Sequence, residues 1–173
     1  MTRKLFLLAL CAAALIAAPR KATTNKLSPS ATTSVKLGST TVTIDYNAPS
    51  ARNRKVEGGL IPYDSIWRAG ADAATTLTTT GDLMIGDLHV PKGEYTLYVQ
   101  AGDKGWQLAV NKQTGQWGTE YDKSQDLGRV PMKLKKLSAP VETFKIDLTA
   151  TGSTGVLAMT WGSTRATVDL MAH

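Results

Sequence analysis

Thr40-Thr-Val-Thr-Ile-Asp-Tyr46 carries the pattern that decides the fold of this 173-residue chain. Polar and apolar residues alternate along it, and the side chains of an extended strand point alternately to its two faces. The stretch therefore predicts a β-strand with one buried face and one solvent-facing side. Gly38-Ser39, just before it, is typical of a hairpin turn, and a shorter alternating run precedes that turn.

The same alternation recurs along most of the remaining chain, and turn signals separate the runs. No segment has the 3.6-residue period of a helix. Antiparallel strands with one apolar face must bury that face, so we predict an antiparallel β-sandwich of about nine to ten strands, with a closed barrel as the alternative. The further predicted strands lie at 73–80, 83–85, 88–90, 95–100, 106–110, 130–134, 144–149, 157–161 and 166–170.

The N-terminus has the pattern of an export signal. Arg3 and Lys4 form a short positive region, and residues 5–18 are an unbroken apolar run that is too short to cross a bilayer as a helix. We therefore expect a protein exported to the periplasm or the extracellular space, with no membrane span in the mature chain. The predicted segments are a signal peptide at 1–21 with an open cleavage site, a flexible arm at 22–30 and one β-sandwich domain at 31–173.

Charge and residue usage exclude several classes of function. The formal net charge is +6, but without the four basic residues of the predicted signal it is +2, from 16 basic and 14 acidic residues. A near-neutral domain lacks the clustered positive charge that nucleic acids require, so we expect no nucleic-acid partner. Cys11 is the only cysteine and lies in the signal, which excludes thiol chemistry in the mature protein.

Metal and cofactor motifs are also missing from the sequence. His89 and His173 are far apart along the chain, neither has the spacing of a zinc site, and we expect both to face solvent. Phosphate-binding loops, EF-hands, dinucleotide fingerprints and a nucleophile elbow are absent. We therefore predict no cofactor, no metal and no catalytic residue.

The alternation fails in Gly58-Gly-Leu-Ile-Pro-Tyr-Asp-Ser-Ile-Trp-Arg-Ala-Gly-Ala-Asp-Ala-Ala-Thr75, where at most 64–68 is expected to form one helical turn. Irregular segments on a regular scaffold are where binding tends to occur, and a second long loop at 111–128 is equally irregular. Arginine, aromatic and acidic residues in the first long loop, which runs from residue 47 to about residue 72, and in the second match the composition of ligand sites. The predicted ligand-binding residues are Arg54, Lys55, Tyr63, Trp67, Arg68, Asp72, Trp117 and Tyr121.

Two alternatives compete with ligand binding at these loops. In a purely structural role, Trp67 plugs one end of the sandwich, and Arg68 is tied to Asp72 or to backbone carbonyls. In a hydrolase, two loop carboxylates face each other across a cleft, as glycosidases require, and several such carboxylates also suit calcium. The candidate carboxylates are Glu57, Asp64, Glu120, Asp122 and Asp126.

The sequence resembles the bacterial DUF2911 family, a domain of unknown function, over roughly residues 28 to 171. Gly58 to Tyr63 and Ile66 to Thr75 resemble the central motif of that family, which usually has Asn where this chain has Asp72. The resemblance implies an exported β-sandwich and no assigned activity. Further matching segments are 40–46 with Pro49, 91–97, 111–112 with 116–122, 140–144, 157–161 and 164–168.

Taken together, the sequence predicts an exported β-sandwich protein that acts as a non-catalytic binding or structural module of the cell envelope. The expected partner is a small molecule or an envelope ligand, and the oligomeric state is left open. A carbohydrate or anionic glycan suits the mixture of arginine and aromatic residues. The alternative is a hydrolase that acts on an envelope glycan through its loop carboxylates.

Overall fold

The computed structural model describes residues 27–173 and confirms the all-β prediction. Every strand pairing in it is antiparallel, and the only helical segment of this part of the chain is a short 3-10 helix, Lys123–Gln125. The strands are β1 (Ser30–Leu37), β2 (Thr40–Asn47), β3 (Ile66–Trp67), β4 (Thr75–Thr79), β5 (Leu83–Ile85), β6 (Leu88–Val90), β7 (Gly93–Gln100), β8 (Trp106–Asn111), β9 (Asp126–Thr151) and β10 (Thr154–Ala172).

The strands form one open sheet with the order β1-β2-β4-β7-β8-β9-β10-β5-β6, and β3 pairs with β7 beside that path. The first part of β9 pairs with β8, and its second part pairs with β10, so β9 leads from one layer of the sandwich to the other. Within residues 27–173, the end strands β1 and β6 do not pair with each other. The β-sandwich prediction is therefore confirmed, and the closed-barrel alternative is wrong.

The apolar faces of both layers meet in one core, whose centre includes Val42, Ile44, Leu77, Leu97, Leu108, Ile146 and Leu157. An aromatic cluster lies in this core. Phe144 makes edge-to-face contacts with Tyr46, Trp67 and Trp161, and Trp67 stacks on Trp161 with ring centroids 5.8 Å apart. The Nε1–H of Trp161 donates to the carbonyl of Glu142 at 2.9 Å, so its polar group is satisfied.

β9 and β10 are each continuous where the sequence predicts two strands. The alternation breaks between the predicted strands because β9 and β10 pair irregularly there. Gly162 pairs with Val141, but Thr164 pairs with Lys136, and Gly162 has a φ of +56°. The extra residues of β9 form a β-bulge here, which bends the strand pair. It also interrupts the period-two alternation, so the sequence pattern shows two strands where the structure has one.

β3 and β4 are two parts of one interrupted strand. Trp67 pairs with Val99 and Thr75 pairs with Leu97, so both parts lie along the same edge of β7. The residues from Arg68 to Ala74 loop out opposite a single residue of β7, Tyr98, and we call this segment the bulge. The helical turn predicted for 64–68 is wrong, because Ile66 and Trp67 are strand.

The predicted signal peptide at 1–21, and the arm up to residue 26, lie outside the described residues. The next strand after them, β1, begins at Ser30, one residue before the predicted domain start. No helix within residues 27–173 combines the length and the apolar character needed to cross a membrane.

Candidate functional site

The bulge is fixed on one side to the strands it interrupts. The hydroxyl of Thr75 donates to the carbonyl of Ala69 at 2.9 Å, and the amide of Ala71 donates to the carbonyl of Asn47 at 3.2 Å. A Cβ on Gly70 would lie 3.0 Å from that same carbonyl oxygen and 2.9 Å from the Thr75 hydroxyl. Glycine is therefore required at position 70 because the backbone of β2 passes too close for a side chain.

On its other side, the bulge is bound by the second long loop. The amide of Gly118 donates to the carbonyl of Asp72 at 3.0 Å, and Trp117 forms a β-bridge with Ala73. A Cβ on Gly118 would lie 2.5 Å from Cδ of Arg68. The structure therefore brings the two irregular segments of the sequence into direct contact, with the aliphatic part of Arg68 packed over Gly118.

Tyr98, the residue opposite the bulge, also anchors the second loop. Its ring is fully buried, and its hydroxyl donates to the carbonyl of Glu120 at 3.3 Å. The side-chain amide of Gln116 donates to the Tyr98 hydroxyl at 3.0 Å and to Thr96 Oγ1 at 3.1 Å. One position of β7 thus faces the interruption in the neighbouring strand and holds the loop that covers it.

Positive φ angles at non-glycine residues occur in the bulge and in two other turns of the described chain. The non-glycine residues with positive φ in the described chain are Arg52, Asn53, Asp64, Ala69 and Asp72. A positive φ is costly for most L-residues, and such costs tend to accumulate at ligand sites. Asn and Asp tolerate this conformation best, which explains why position 72 holds a residue of this type.

The bulge separates two cavities, which we call cavity A and cavity B. Cavity A has a volume of about 270 Å³, and cavity B has a volume of about 420 Å³. Leu60, Trp67 and Arg68 line both, so the Arg68 side chain lies at their shared rim. Cavity A is lined further by Arg52, Arg54, Asp72 and Trp161, and cavity B by Pro62, Ile66, Gly118 and Thr119.

The three arginines of cavity A differ in how they are held. Arg52 Nη2 donates to the carbonyl of Leu27 at 2.8 Å, and Arg54 donates through Nε to Ala51 at 2.9 Å and through Nη2 to Ser50 at 3.0 Å. The Arg68 guanidinium makes no hydrogen bond or ion pair with any of residues 27–173. Within residues 27–173, the guanidinium therefore makes neither of the contacts that the structural alternative predicts, to Asp72 or to backbone carbonyls.

Only some of the aromatic residues predicted for the site line a cavity in the structure. Trp67 is only 8% exposed and belongs to the aromatic core, yet its edge lines both cavities. Trp117, which is 52% exposed, and Tyr63, which packs over Gly58, line neither cavity. Lys55 lies in a separate depression beside Glu57. The geometry thus joins Arg54, Trp67, Arg68 and Asp72 and leaves the other predicted residues outside.

Sequence reasoning missed Arg52 and Trp161 as parts of cavity A. Trp161 was assigned to a strand, and it is indeed a core residue whose ring also borders the cavity. Arg52 reaches the cavity because its amide donates to Oε1 of Glu142 at 2.7 Å, which fixes the turn after β2 against β9. The only sequence signal for Arg52 is its spacing of two residues from Arg54.

Tyr121 belongs to a separate structural network. Its hydroxyl donates to Oδ2 of Asp126 at 2.7 Å and accepts from Arg129, and Arg129 Nε donates to the same carboxylate at 2.9 Å. Burial, together with the hydrogen bond to Asp126, raises the pKa of Tyr121 to about 12. These contacts tie the end of the second loop to β9, so the hydroxyl already has its partners.

Several candidate carboxylates of the hydrolase alternative have structural partners. Oε1 of Glu57 accepts from the Ser163 amide at 2.8 Å and from the Thr164 hydroxyl at 2.9 Å. Asp122 caps the 3-10 helix by accepting from the Ser124 amide at 2.9 Å. Across residues 27–173, no group of three or more His, Cys, Asp or Glu side chains is arranged to hold a metal ion.

The two histidines are closer together than the sequence suggests. Their rings lie 5.8 Å apart, and His89 Nε2 is 3.4 Å from Oδ2 of Asp82. The contact arises because β6 pairs with β5, and β5 pairs with the end of β10. His89 and His173 are both exposed, as predicted, and the fold brings their rings together although they are far apart along the chain.

Fold and site together define a class: an open antiparallel β-sandwich in which an interrupted strand and a covering loop form a pair of adjoining cavities. A comparison with protein families places the chain more closely. Residues 28–170 match the family described as "Protein of unknown function (DUF2911)", and the chain belongs to that family. No curated protein and no solved structure matches it.

Substitution of Gly118 tests the contact between the loop and the bulge. G118A places a Cβ 2.5 Å from Cδ of Arg68 and 2.7 Å from the carbonyl oxygen of Asp72, so one of these groups must move. We expect a loss of about 1–3 kcal/mol in the free energy of unfolding, measured in urea. G93A is the matched control because a Cβ there meets only ordinary contacts. Equal stability of the two variants would contradict the proposed packing.

The Tyr121 network predicts a dependence of stability on alkaline pH. The ordinary pKa of 10.0 is raised to about 12 in the folded state, so the network stabilises fully below pH 10 and loses this contribution between those values as the unfolded state ionises first. We expect the difference in unfolding free energy between the wild type and Y121F to shrink across that range. A difference that stays constant or grows would contradict this assignment.

Proposed function

We propose that this DUF2911 protein is an exported, non-catalytic binding module of the bacterial cell envelope, with its ligand site in cavities A and B. The observation that carries the proposal is the Arg68 guanidinium. It lies at the shared rim of both cavities and has no hydrogen bond or ion pair within residues 27–173. A partly buried arginine retains its charge, so a ligand is the group best suited to pair with it.

A purely structural role accounts less well for this geometry. Arg52 and Arg54 do what a structural arginine is expected to do, since Arg52 donates to the carbonyl of Leu27 and Arg54 donates to two carbonyls of its own turn. Arg68 does not, although its aliphatic part is packed firmly over Gly118. Packing orders the Arg68 side chain but leaves its N–H donors without partners in residues 27–173. Because the side chain is already ordered, it loses little conformational entropy when a ligand binds, and this favours a role in ligand recognition.

Hydrolysis of a glycan is less well supported than binding. Glycosidases use two carboxylates, one on each side of the scissile bond. Among the described residues, Asp72 is the only carboxylate that lines cavity A, and none lines cavity B. The cavities therefore offer donors and apolar surface but lack the second acid or base.

The two tryptophans of the predicted site differ in how much ring surface they offer for stacking against a sugar. Trp67 stacks on Trp161, makes an edge-to-face contact with Phe144 and is only 8% exposed, so it can border a ligand but cannot serve as an open stacking platform. The exposed ring of Trp117 is available for stacking, but it lies outside both cavities. Cavities of this size suit a small ligand or the end of a longer one.

A thermal-shift screen tests the binding proposal. We expect at least one fragment from a panel of envelope glycans and peptides to raise the unfolding midpoint of the wild type, since a ligand at 100 times its Kd adds about 2.7 kcal/mol of stability. R68M, which keeps the aliphatic stem over Gly118, should lose that shift. R165M is the control for a lost positive charge on β10. A shift that survives R68M would place the site elsewhere, and release of new reducing ends would favour the hydrolase.

Export is tested separately by cell fractionation. The full chain, expressed in a Gram-negative host, is expected in the periplasm and shortened at its N-terminus, as measured by intact mass. L10R places a charge in the apolar run of the signal and should keep the full-length protein in the cytoplasm. Recovery of both proteins in the same fraction with the same N-terminus would contradict export by residues 1–21.

A further inference from the structure

We propose that the ligand is anionic: a carboxylate or phosphate group lies in cavity A among Arg52, Arg54 and Arg68, and an uncharged part of the ligand, of about the size of a sugar ring, occupies cavity B. This inference rests on the proposed binding function. It adds the chemical class of the ligand and its direction in the site.

The charge balance of cavity A favours an anion. Among residues 27–173, three guanidiniums and a single carboxylate, that of Asp72, line it. An arginine cannot lose its proton in a protein, so one carboxylate leaves an excess of two positive charges around cavity A, where Arg68 is partly buried and Arg52 and Arg54 are exposed. An oxyanion is the complement of such a set, because a guanidinium matches carboxylate and phosphate oxygens with paired N–H donors.

The arginines also keep free donors and fixed positions. A guanidinium has five N–H groups. Within the described residues, Arg52 uses one side-chain donor on Leu27, Arg54 uses two on Ala51 and Ser50, and Arg68 uses none. The contacts of Arg52 and Arg54 hold their planar groups in place, so the remaining donors are arranged before the anion arrives.

The turn that carries two of these arginines is strained and firmly attached. Arg52 has a φ of +51°, and its amide is bound by the carboxylate of Glu142 on β9. The turn is closed by the amide of Arg54, which donates to the carbonyl of Ala51 at 3.0 Å. A costly backbone conformation in the turn that carries two of the arginines lining cavity A is typical of a binding site, where the fold sustains local strain for recognition.

The lining of cavity B is less charged than that of cavity A, and this difference determines in which orientation the ligand is expected to bind. Apart from Arg68 at the rim, its lining is uncharged and includes Leu60, Pro62, Ile66 and the edge of Trp67. Its volume of about 420 Å³ exceeds that of cavity A. A ligand that spans both cavities therefore places its charged group beside the three arginines and its neutral ring against Trp67.

Four probes separate the parts of this proposal: sodium glucuronate, glucose, glucose 6-phosphate and inorganic phosphate. Glucuronate differs from glucose only in the oxidation of one carbon to a carboxylate, so the pair isolates the charge. Titrations at constant ionic strength, followed by ¹H–¹⁵N spectra of the arginine Nε–H and tryptophan indole groups, report on the cavity residues directly. We expect glucuronate or glucose 6-phosphate to shift the Nε resonance of Arg68 and the indole resonance of Trp67, and glucose to bind at least about tenfold more weakly.

Variants of Arg68 supply the second measurement. R68M should weaken binding of the anionic sugar by about 10- to 100-fold, R68K should restore part of it, and R165M should leave it unchanged. The spectra of these variants also verify that each one is folded, so a loss of binding cannot be confused with a loss of structure.

The outcomes distinguish this inference from the proposed function. Glucose that binds as tightly as glucuronate, with both lost in R68M, would overturn the anionic ligand and leave the binding module intact. Inorganic phosphate that binds as tightly as glucose 6-phosphate would overturn the role of cavity B. If none of the four probes perturbs Arg68 in the wild type, the inference fails, and the wider glycan and peptide screen still decides the proposed function.

Discussion

The pairing of β7 with both halves of an interrupted strand is the constraint on which the rest of this structure depends. Trp67 is held opposite Val99 and Thr75 opposite Leu97, so the intervening residues have no place in the sheet and must leave it. Because the ladder resumes after one residue of β7, the position and both ends of the bulge are fixed by regular hydrogen bonds. The two ends of this irregular segment are therefore held in position as firmly as the strands that flank it.

The consequences extend to both sides of the sheet. Tyr98, opposite the interruption, holds the second loop through its buried hydroxyl, and Gly118 in that loop packs against the stem of Arg68. On the core side, Trp67 joins the last strand pair through its contacts with Phe144 and Trp161. Arg68 is thus positioned from two directions by packing, while its guanidinium has no partner within residues 27–173. Packing supplies the position and leaves the charge available for a ligand.

The sequence predicts the fold well because burial of one face of a strand has a period of two, as along β2. It predicts the site only in part, because cavity A depends on contacts between distant residues. Arg52 reaches the cavity because its amide donates a hydrogen bond to the carboxylate of Glu142, and no local sequence pattern predicts such a contact. Tyr121 has the composition of a ligand residue, but its hydroxyl is already bound to Asp126. Residue type indicated the right loops, and long-range pairing decided which of their side chains share a cavity.

A crystal structure of the protein soaked with glucuronate tests the central claim most directly. The account predicts that the carboxylate is bound in cavity A within hydrogen-bond distance of Arg68 and of Arg52 or Arg54, with the sugar ring toward cavity B and Trp67. Glucuronate bound instead at the exposed rings of Trp117 or Tyr63, with Arg68 making no contact to it, would contradict the account.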